Sequence, residues 1–173
     1  GKRGTEGKIA AITYARKNRI PFLGICFGMQ LAIIEFAKNI LSIKKATSTE
    51  FSSSGVPLVG LITEWNKNGR IIKGTDKDLG GTMRLGLYEA KLKENSLIKN
   101  IYKSKSIKER HRHRYEVNMS YRDQFENKGM IFSGISPDNR LPEIIELKNH
   151  PWFIGVQFHP EFKSRPLSPH PLF

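Results

Sequence analysis

The sequence predicts an α/β layered domain, and three observations carry that prediction. From Thr5 to Leu41 the pattern runs helix, buried strand, tight turn, helix, the order of a sheet covered by helices. Further on, residues 130–135, 141–146 and 153–158 are apolar runs of strand length. The composition fits one packed unit, since 173 residues with 38% hydrophobic and 10% aromatic side chains can fill a real core, which excludes wholesale disorder.

The elements follow in order. Residues 5–18 place Ile9, Ile12 and Ala15 or Arg16 on successive turns, with Thr5 expected as the N-cap and Pro21 ending the helix. Residues 20–25 are nearly all apolar, as expected of a strand covered on both faces. After the turn, Ile33, Ile34, Ala37, Ile40 and Leu41 keep helical spacing to a break at Ser42. Residues 47–55, rich in Ser and Thr, read as loop, and residues 56–62 as strand. Residues 66–81 hold Gly69, Gly74, Gly80 and Gly81 among charges and read as a surface loop. Residues 84–93 read as a strand, and 110–117 as another, with Arg110, Arg112 and Arg114 on one face and His111, His113 and Tyr115 on the other. The three apolar runs complete the strands. The tail from Arg165 carries three prolines and is expected to be extended at best.

A formal charge of +13, from 29 Lys and Arg against 16 Asp and Glu, raises the question of a nucleic-acid partner. Most of the basic residues are dispersed and read as solvated surface, as Lys38, Lys44 and Lys99 do. Residues 103–115 are denser, yet they lack the interleaved aromatics of a single-strand platform and match no groove-reading motif. A phosphate or carboxylate ligand is the better reading there, with nucleic acid second. A single cysteine excludes an intrachain disulfide framework and fits a reducing, cytoplasmic setting. The longest uninterrupted apolar stretch has ten residues, against about 20 for a spanning helix, so no membrane partner is expected. The opening residues form neither a signal peptide nor an initiator start, and the chain is expected to be a piece of something longer.

A lone cysteine inside an element reads as a small buried hydrophobe. Cys26 instead sits between a buried strand and a helix, with Gly24 and Gly28 as second neighbours. A nucleophile elbow has that construction, because a turn too sharp for flanking side chains thrusts the reactive atom above the sheet. The helix N-terminus that follows is expected to stabilise a thiolate and to offer N–H groups to a developing oxyanion. A nucleophilic thiol needs a base, and the base needs an orienting partner. Among the five histidines only His159 follows a strongly apolar strand and has a carboxylate, Glu161, two positions on, with Pro160 keeping the chain extended. Cys26 as nucleophile, His159 as base and Glu161 as orienter is the resulting expectation. His-Pro-Glu also reads as an ordinary turn.

Residues 21–30 together with 157–161 resemble class I glutamine amidotransferases. Finer matches resemble the glutaminase domains of CTP synthases: Ser48-Thr-Glu-Phe51, Leu61-Ile-Thr-Glu-Trp65, Gly80-Gly-Thr-Met-Arg-Leu-Gly86, the segment from Glu109 to Asn118, and His150-Pro-Trp-Phe153. They run in the family's order from Gly1 to Phe173. The resemblance implies a three-layer α/β/α domain with a central, mostly parallel sheet, truncated at both ends. It implies hydrolysis of L-glutamine to glutamate, with ammonia passed to a synthase domain of the same polypeptide that converts UTP to CTP. ATP and Mg2+ are expected for that missing domain and no cofactor for this one, with GTP as allosteric activator and a homotetramer for the full-length enzyme. By motif position Cys26, His159 and Glu161 form the triad, Phe27, Gly28, Met29 and Gln30 line the glutamine pocket, and the Phe27 N–H is an oxyanion donor. Glu50 and Arg114 fall where the family holds the amino-acid head group, and the chemistry agrees, since a zwitterion needs an anion for its ammonium and a fork-shaped guanidinium for its carboxylate. Gly81, Thr82 and Arg84 fall in the family's lid, associated with GTP.

This sequence departs from the family's pattern in two ways. Of the glycine-rich stretch that supplies the second oxyanion donor only Gly1 remains, and the sheet is expected to lack its opening strands, exposing apolar edges. Phe27 stands where many relatives carry Leu. The alternatives are another thiol hydrolase on the same fold, of γ-glutamyl hydrolase or peptidase type, and a basic nucleic-acid or partner-binding module with a silent cysteine.

Overall fold

Residues 3–61 and 83–173 are described by the computed structural model of the chain. The expected loop at 66–81 and the last residue of the expected strand at 56–62 lie outside the described residues. Helix α1 (Thr5–Asn18) buries Ile12 and Ala15, as its spacing predicts. Its N-cap is Gly4 rather than Thr5, which is the first helical residue and is itself buried. Strand β1 (Phe22–Ile25) leads into α2 (Phe27–Asn39), whose residues from Met29 to Ala37 are buried without a break. Helix α2 ends at Asn39, before the expected break at Ser42. Arg16 joins the two helices, its guanidinium donating to both Glu35 oxygens at 2.7 and 2.9 Å. Glu35 is fully buried, so this pair ties the two helices together, and removing Arg16 would strand a carboxylate in the core.

The main sheet has the order β1-β9-β8-β7-β4-β5. Its other members are β4 (Arg84–Leu92), β5 (Ser106–His113), β7 (Met130–Ile135), β8 (Pro142–Leu147) and β9 (Phe153–Val156). A smaller sheet holds β2 (Ala46–Ser48), β3 (Val56–Leu61) and β6 (Tyr115–Val117) in the order β2-β3-β6. The layered α/β architecture is borne out: one core joins α1, α2, the short α4 (Arg122–Asn127) and the small sheet, and the other lies beneath α3 (Leu97–Tyr102) and the C-terminal tail.

The sheet itself is mixed rather than mostly parallel. Among the described residues β1 with β9 and β2 with β3 are parallel, and the remaining pairs are antiparallel. Successive strands such as β7, β8 and β9 are joined by a few residues, and a return that short is antiparallel because a parallel one needs a crossover of about a dozen residues or more. Among the described residues β1 is the end strand of the main sheet, and Phe22, Leu23 and Ile25 are half-buried instead of covered on both faces.

Three further expectations are corrected. Thr47 and Ser48, read as loop, form β2 because they pair with β3. The single strand expected at 110–117 is two strands in two sheets, broken at Arg114. Its alternation holds as far as His113, with Arg110 and Arg112 outward and Glu109, His111 and His113 inward. Helices α3 and α4, each of six residues, are too short to show a helical period in sequence. The tail, expected to be extended, instead folds into a turn closed by paired backbone hydrogen bonds between Arg165 and Ser168 and a second turn from His170 to Phe173, and it buries His170 and Leu172.

Candidate active site

Strands β1 and β9 run side by side in the same direction, with Gly24 beside Gly155 and Ile25 beside Val156. The residues leaving their carboxyl ends, Cys26 from one and the segment from Gln157 to Glu161 from the other, therefore emerge together. The Cys26 N–H donates to the Val156 carbonyl at 2.7 Å, fixing one exit against the other. The chain turns from strand into helix at Cys26 itself, with φ 51° and ψ −101°, a conformation that side chains rarely adopt. A Cβ at Gly24 would lie 2.9 Å from the Gly28 backbone and from the Phe22 ring, so glycine is demanded there. At Gly28 a Cβ would meet nothing within 4 Å, so only one of the two flanking glycines is sterically required. The strand side of the elbow faces packed atoms, while the helix side faces open space.

Burial pushes the Cys26 thiol up to about 11, and the carboxylates of Glu116, Glu161 and Glu50 push the same way against the Phe27 N–H. The sequence expectation of a helix-stabilised thiolate is thus overturned for the substrate-free protein, because desolvation and three acids outweigh one amide. The thiol needs a base. The His159 Nδ1 lies 2.6 Å from Glu161 Oε1. A carboxylate accepts, so Nδ1 carries the hydrogen and Nε2 the lone pair. That Nε2 is buried and has no hydrogen-bond partner among the described residues. The His159 N–H donates to the Arg110 carbonyl at 2.8 Å, and the ring stacks on Phe162 with centroids 4.8 Å apart, so the imidazole is held from two sides.

The small sheet supplies the rest. Glu50 follows the carboxyl end of β2, and Arg114 precedes Tyr115, which pairs with Leu61 at the carboxyl end of β3. Since β2 and β3 are parallel, Glu50 and Arg114 sit at the same end of that sheet, both half-buried. Gln30 ties this end to the elbow, its Nε2 donating to the Tyr115 carbonyl at 2.9 Å and to Gln157 Oε1 at 3.1 Å. Phe27 and Gly28 are half-buried, whereas Met29 is sealed in the core and Gln30 is nearly so. Met29 therefore has only its backbone to offer a ligand.

Gly81 and Thr82 lie outside the described residues, as does Gly1. Arg84 is described, and it is not free for an effector. Buried as the first residue of β4, it is clamped between Glu116 at 3.2 Å and Glu143 at 2.8 Å, with the Tyr88 ring 4.4 Å from the guanidinium. His111 and His113 complete this cluster with a 2.9 Å hydrogen bond between Nδ1 and Nε2. Burial foremost, then the Arg84 charge, lowers them to about 2 and about 3. Two buried acids share one guanidinium, and burial raises Glu116 to about 8 despite it. Sequence reading gave Glu116, Glu143 and Gln157 no role. For Glu143 and Gln157 the available signal was a polar residue inside a strand-length apolar run, whereas Glu116 lies among Arg and His and had none. No group of His, Cys, Asp and Glu placed to hold a metal occurs among the described residues, and no helix there is long and apolar enough to cross a membrane.

The site sets an elbow cysteine beside an oriented imidazole on a layered α/β sheet, and the family described as glutamine amidotransferase class-I matches residues 1–173. The chain belongs to the class I glutamine amidotransferases. It is 76% identical over 173 residues to a CTP synthase of Pelagibacter ubique strain HTCC1062 and 59% identical over 174 residues to one of Rhodospirillum rubrum. All of this chain is covered in each case, but only 32% of the relative, so the chain spans about a third of their length. Among solved structures it is similar to the glutaminase domain of Trypanosoma brucei CTPS with bound acivicin, with a TM-score of 0.84 and 35% identity over 99% of this chain and 64% of that one. A glutamine amidotransferase of Thermotoga maritima, at 15% identity and a TM-score of 0.53, shares the fold.

Proposed function

We propose that this chain hydrolyses L-glutamine to glutamate and ammonia through Cys26, His159 and Glu161, and supplies the ammonia to a synthase domain of the same polypeptide that converts UTP to CTP. The reading rests above all on the His159 imidazole, whose Nδ1 is held by Glu161 while Nε2 has no hydrogen-bond partner among the described residues. Glu50 receives the substrate ammonium and Arg114 its carboxylate, which sets the side-chain amide over the elbow. His159 Nε2 takes the Cys26 proton as the sulfur adds to the amide carbon, and the oxyanion meets the Phe27 N–H. The imidazolium returns that proton to the nitrogen, the C–N bond breaks, and ammonia leaves a thioester on Cys26. Water, deprotonated by His159, then adds to the thioester, and collapse releases glutamate and restores the thiol.

ATP and Mg2+ belong to the synthase domain in this reading, and this domain needs no cofactor. Assembly into a homotetramer and activation by GTP at the segment containing Gly81 and Thr82 belong to the same proposal. The likeness to CTP synthases supports the choice of acceptor over a γ-glutamyl hydrolase or peptidase. In the full-length protein, Cys26→Ala is expected to abolish ammonia release and glutamine-dependent CTP formation while free ammonia still supports CTP formation. Equal loss with both nitrogen sources would refute the reading.

A further inference from the structure

We infer that Gln157 is a positioning residue for the nucleophile: its side-chain amide donates to the Cys26 sulfur and steadies the anion that forms when His159 takes the proton. The inference rests on the reading of Cys26 as the nucleophile. Gln157 is fully buried, and its Nε2 lies 3.6 Å from Cys26 Sγ.

Which end of the amide faces the sulfur follows from its neighbours. The Tyr115 carbonyl only accepts, so Gln30 must present its NH2 group there, at 2.9 Å. The second hydrogen of that nitrogen reaches Gln157 Oε1 at 3.1 Å. The oxygen of Gln157 is thereby occupied, and its NH2 group is left facing Sγ. The Gln157 backbone N–H donates to the Glu143 carbonyl at 2.8 Å, so the residue is anchored along the strand as well.

A donor in that place matters because the surroundings oppose ionisation. Burial and the charges of Glu116, Glu161 and Glu50 raise the thiol, with the Phe27 N–H acting against them. A thiolate accepts hydrogen bonds far better than a thiol does, so a fixed second donor favours the charged, reactive form and holds it on the side that faces a substrate carbonyl.

Alkylation of Cys26 by iodoacetamide, followed on the Cys26 peptide by mass spectrometry in the full-length protein, tests the contact without glutamine. Loss of the donor in Gln157→Met is expected to slow alkylation about threefold across the range about pH 7 to 9, because a thiolate about tenfold scarcer is also intrinsically more nucleophilic. Gln157→Glu keeps the shape but sets a carboxylate beside the sulfur, and is expected to be slower still. Both variants should lower kcat for glutamine more than they raise KM. Wild-type alkylation rates in folded Gln157→Met would overturn the inference, as would Gln157→Glu reacting as fast as wild type, the comparison that decides if the methionine variant does not fold. Failure of the wild-type protein to release ammonia from glutamine would sink the proposed activity instead, and leave the sulfur contact to the alkylation data.

Discussion

Cys26 carries the largest local strain at the site, a non-glycine residue at φ 51° and ψ −101°. Such a conformation costs on the order of 1–3 kcal/mol and persists only where the surroundings enforce it. Here the enforcement is the 2.7 Å hydrogen bond from its N–H to Val156 and the absence of a side chain at Gly24. Cys26→Gly should therefore be more stable than Cys26→Ala by about 1 kcal/mol in urea denaturation, although both lack the nucleophile. Equal midpoints would mean that the elbow is unstrained. If the Arg114 guanidinium holds the substrate carboxylate, Arg114→Ala raises the glutamine KM by about tenfold or more with a smaller change in kcat, read from steady-state ammonia release.

Among the elements, α3 has only six residues and owes its position to other parts of the chain. Ser96 caps it through the Lys99 N–H, and Glu146, buried on β8, accepts from the Leu97 and Ile98 N–H groups at 3.0 Å each. Glu146→Ala removes the acceptor from a buried donor at Ile98 and a half-buried one at Leu97 and should cost about 2 kcal/mol, seen as a lower denaturant midpoint and faster amide exchange at both. Glu146→Gln, which keeps one acceptor oxygen, should lose less. Elements also mark where sequence was legible. The opening helix, β1 and α2 could be read because Ile9, Ile12 and Ala15, and later Ile33, Ile34 and Ala37, repeat at a helical period around an apolar run. Helix α3 could not, since its cap comes from a glutamate almost fifty positions away, and β2 could not, since Thr47 and Ser48 are strand only by virtue of pairing with β3.

Across the whole molecule the buried cluster of Arg84, Glu116, Glu143, His111 and His113 binds β4, β5, β6 and β8 into one charged core, and it dictates a pH dependence. His111 and His113 are depressed from 6.5 to about 2 and about 3, so their contribution to stability is present above 6.5 and is lost as pH falls through about 3. Glu116 is raised from 4.5 to about 8, so its contribution is complete below 4.5 and is lost as pH rises through about 8. Burial raises Glu143 as well, so above 4.5 two acids work against the two histidines, and above 6.5 only the acids remain and stability falls. The denaturant midpoint should fall between 6.5 and pH about 8 in the wild-type protein and fall less steeply in Glu116→Gln, where only Glu143 remains to lose its proton. A midpoint that falls as steeply in Glu116→Gln would show that the proton sits elsewhere in the cluster.

By itself the sequence determined the elbow at Cys26, the pairing of His159 with Glu161 and the layered architecture. Each is written in neighbouring residues, as a glycine-flanked turn between apolar run and helix, or as a carboxylate two positions from an imidazole. Packing in three dimensions made the sheet mixed, drew Arg84 into a buried ion-pair cluster, raised the thiol by burying it near three acids, and turned the Gln157 amide toward the sulfur. Desolvation and contacts between residues distant in the chain have no local signature. They exist only once Glu116, Glu143 and Gln157 have been brought together from separate strands.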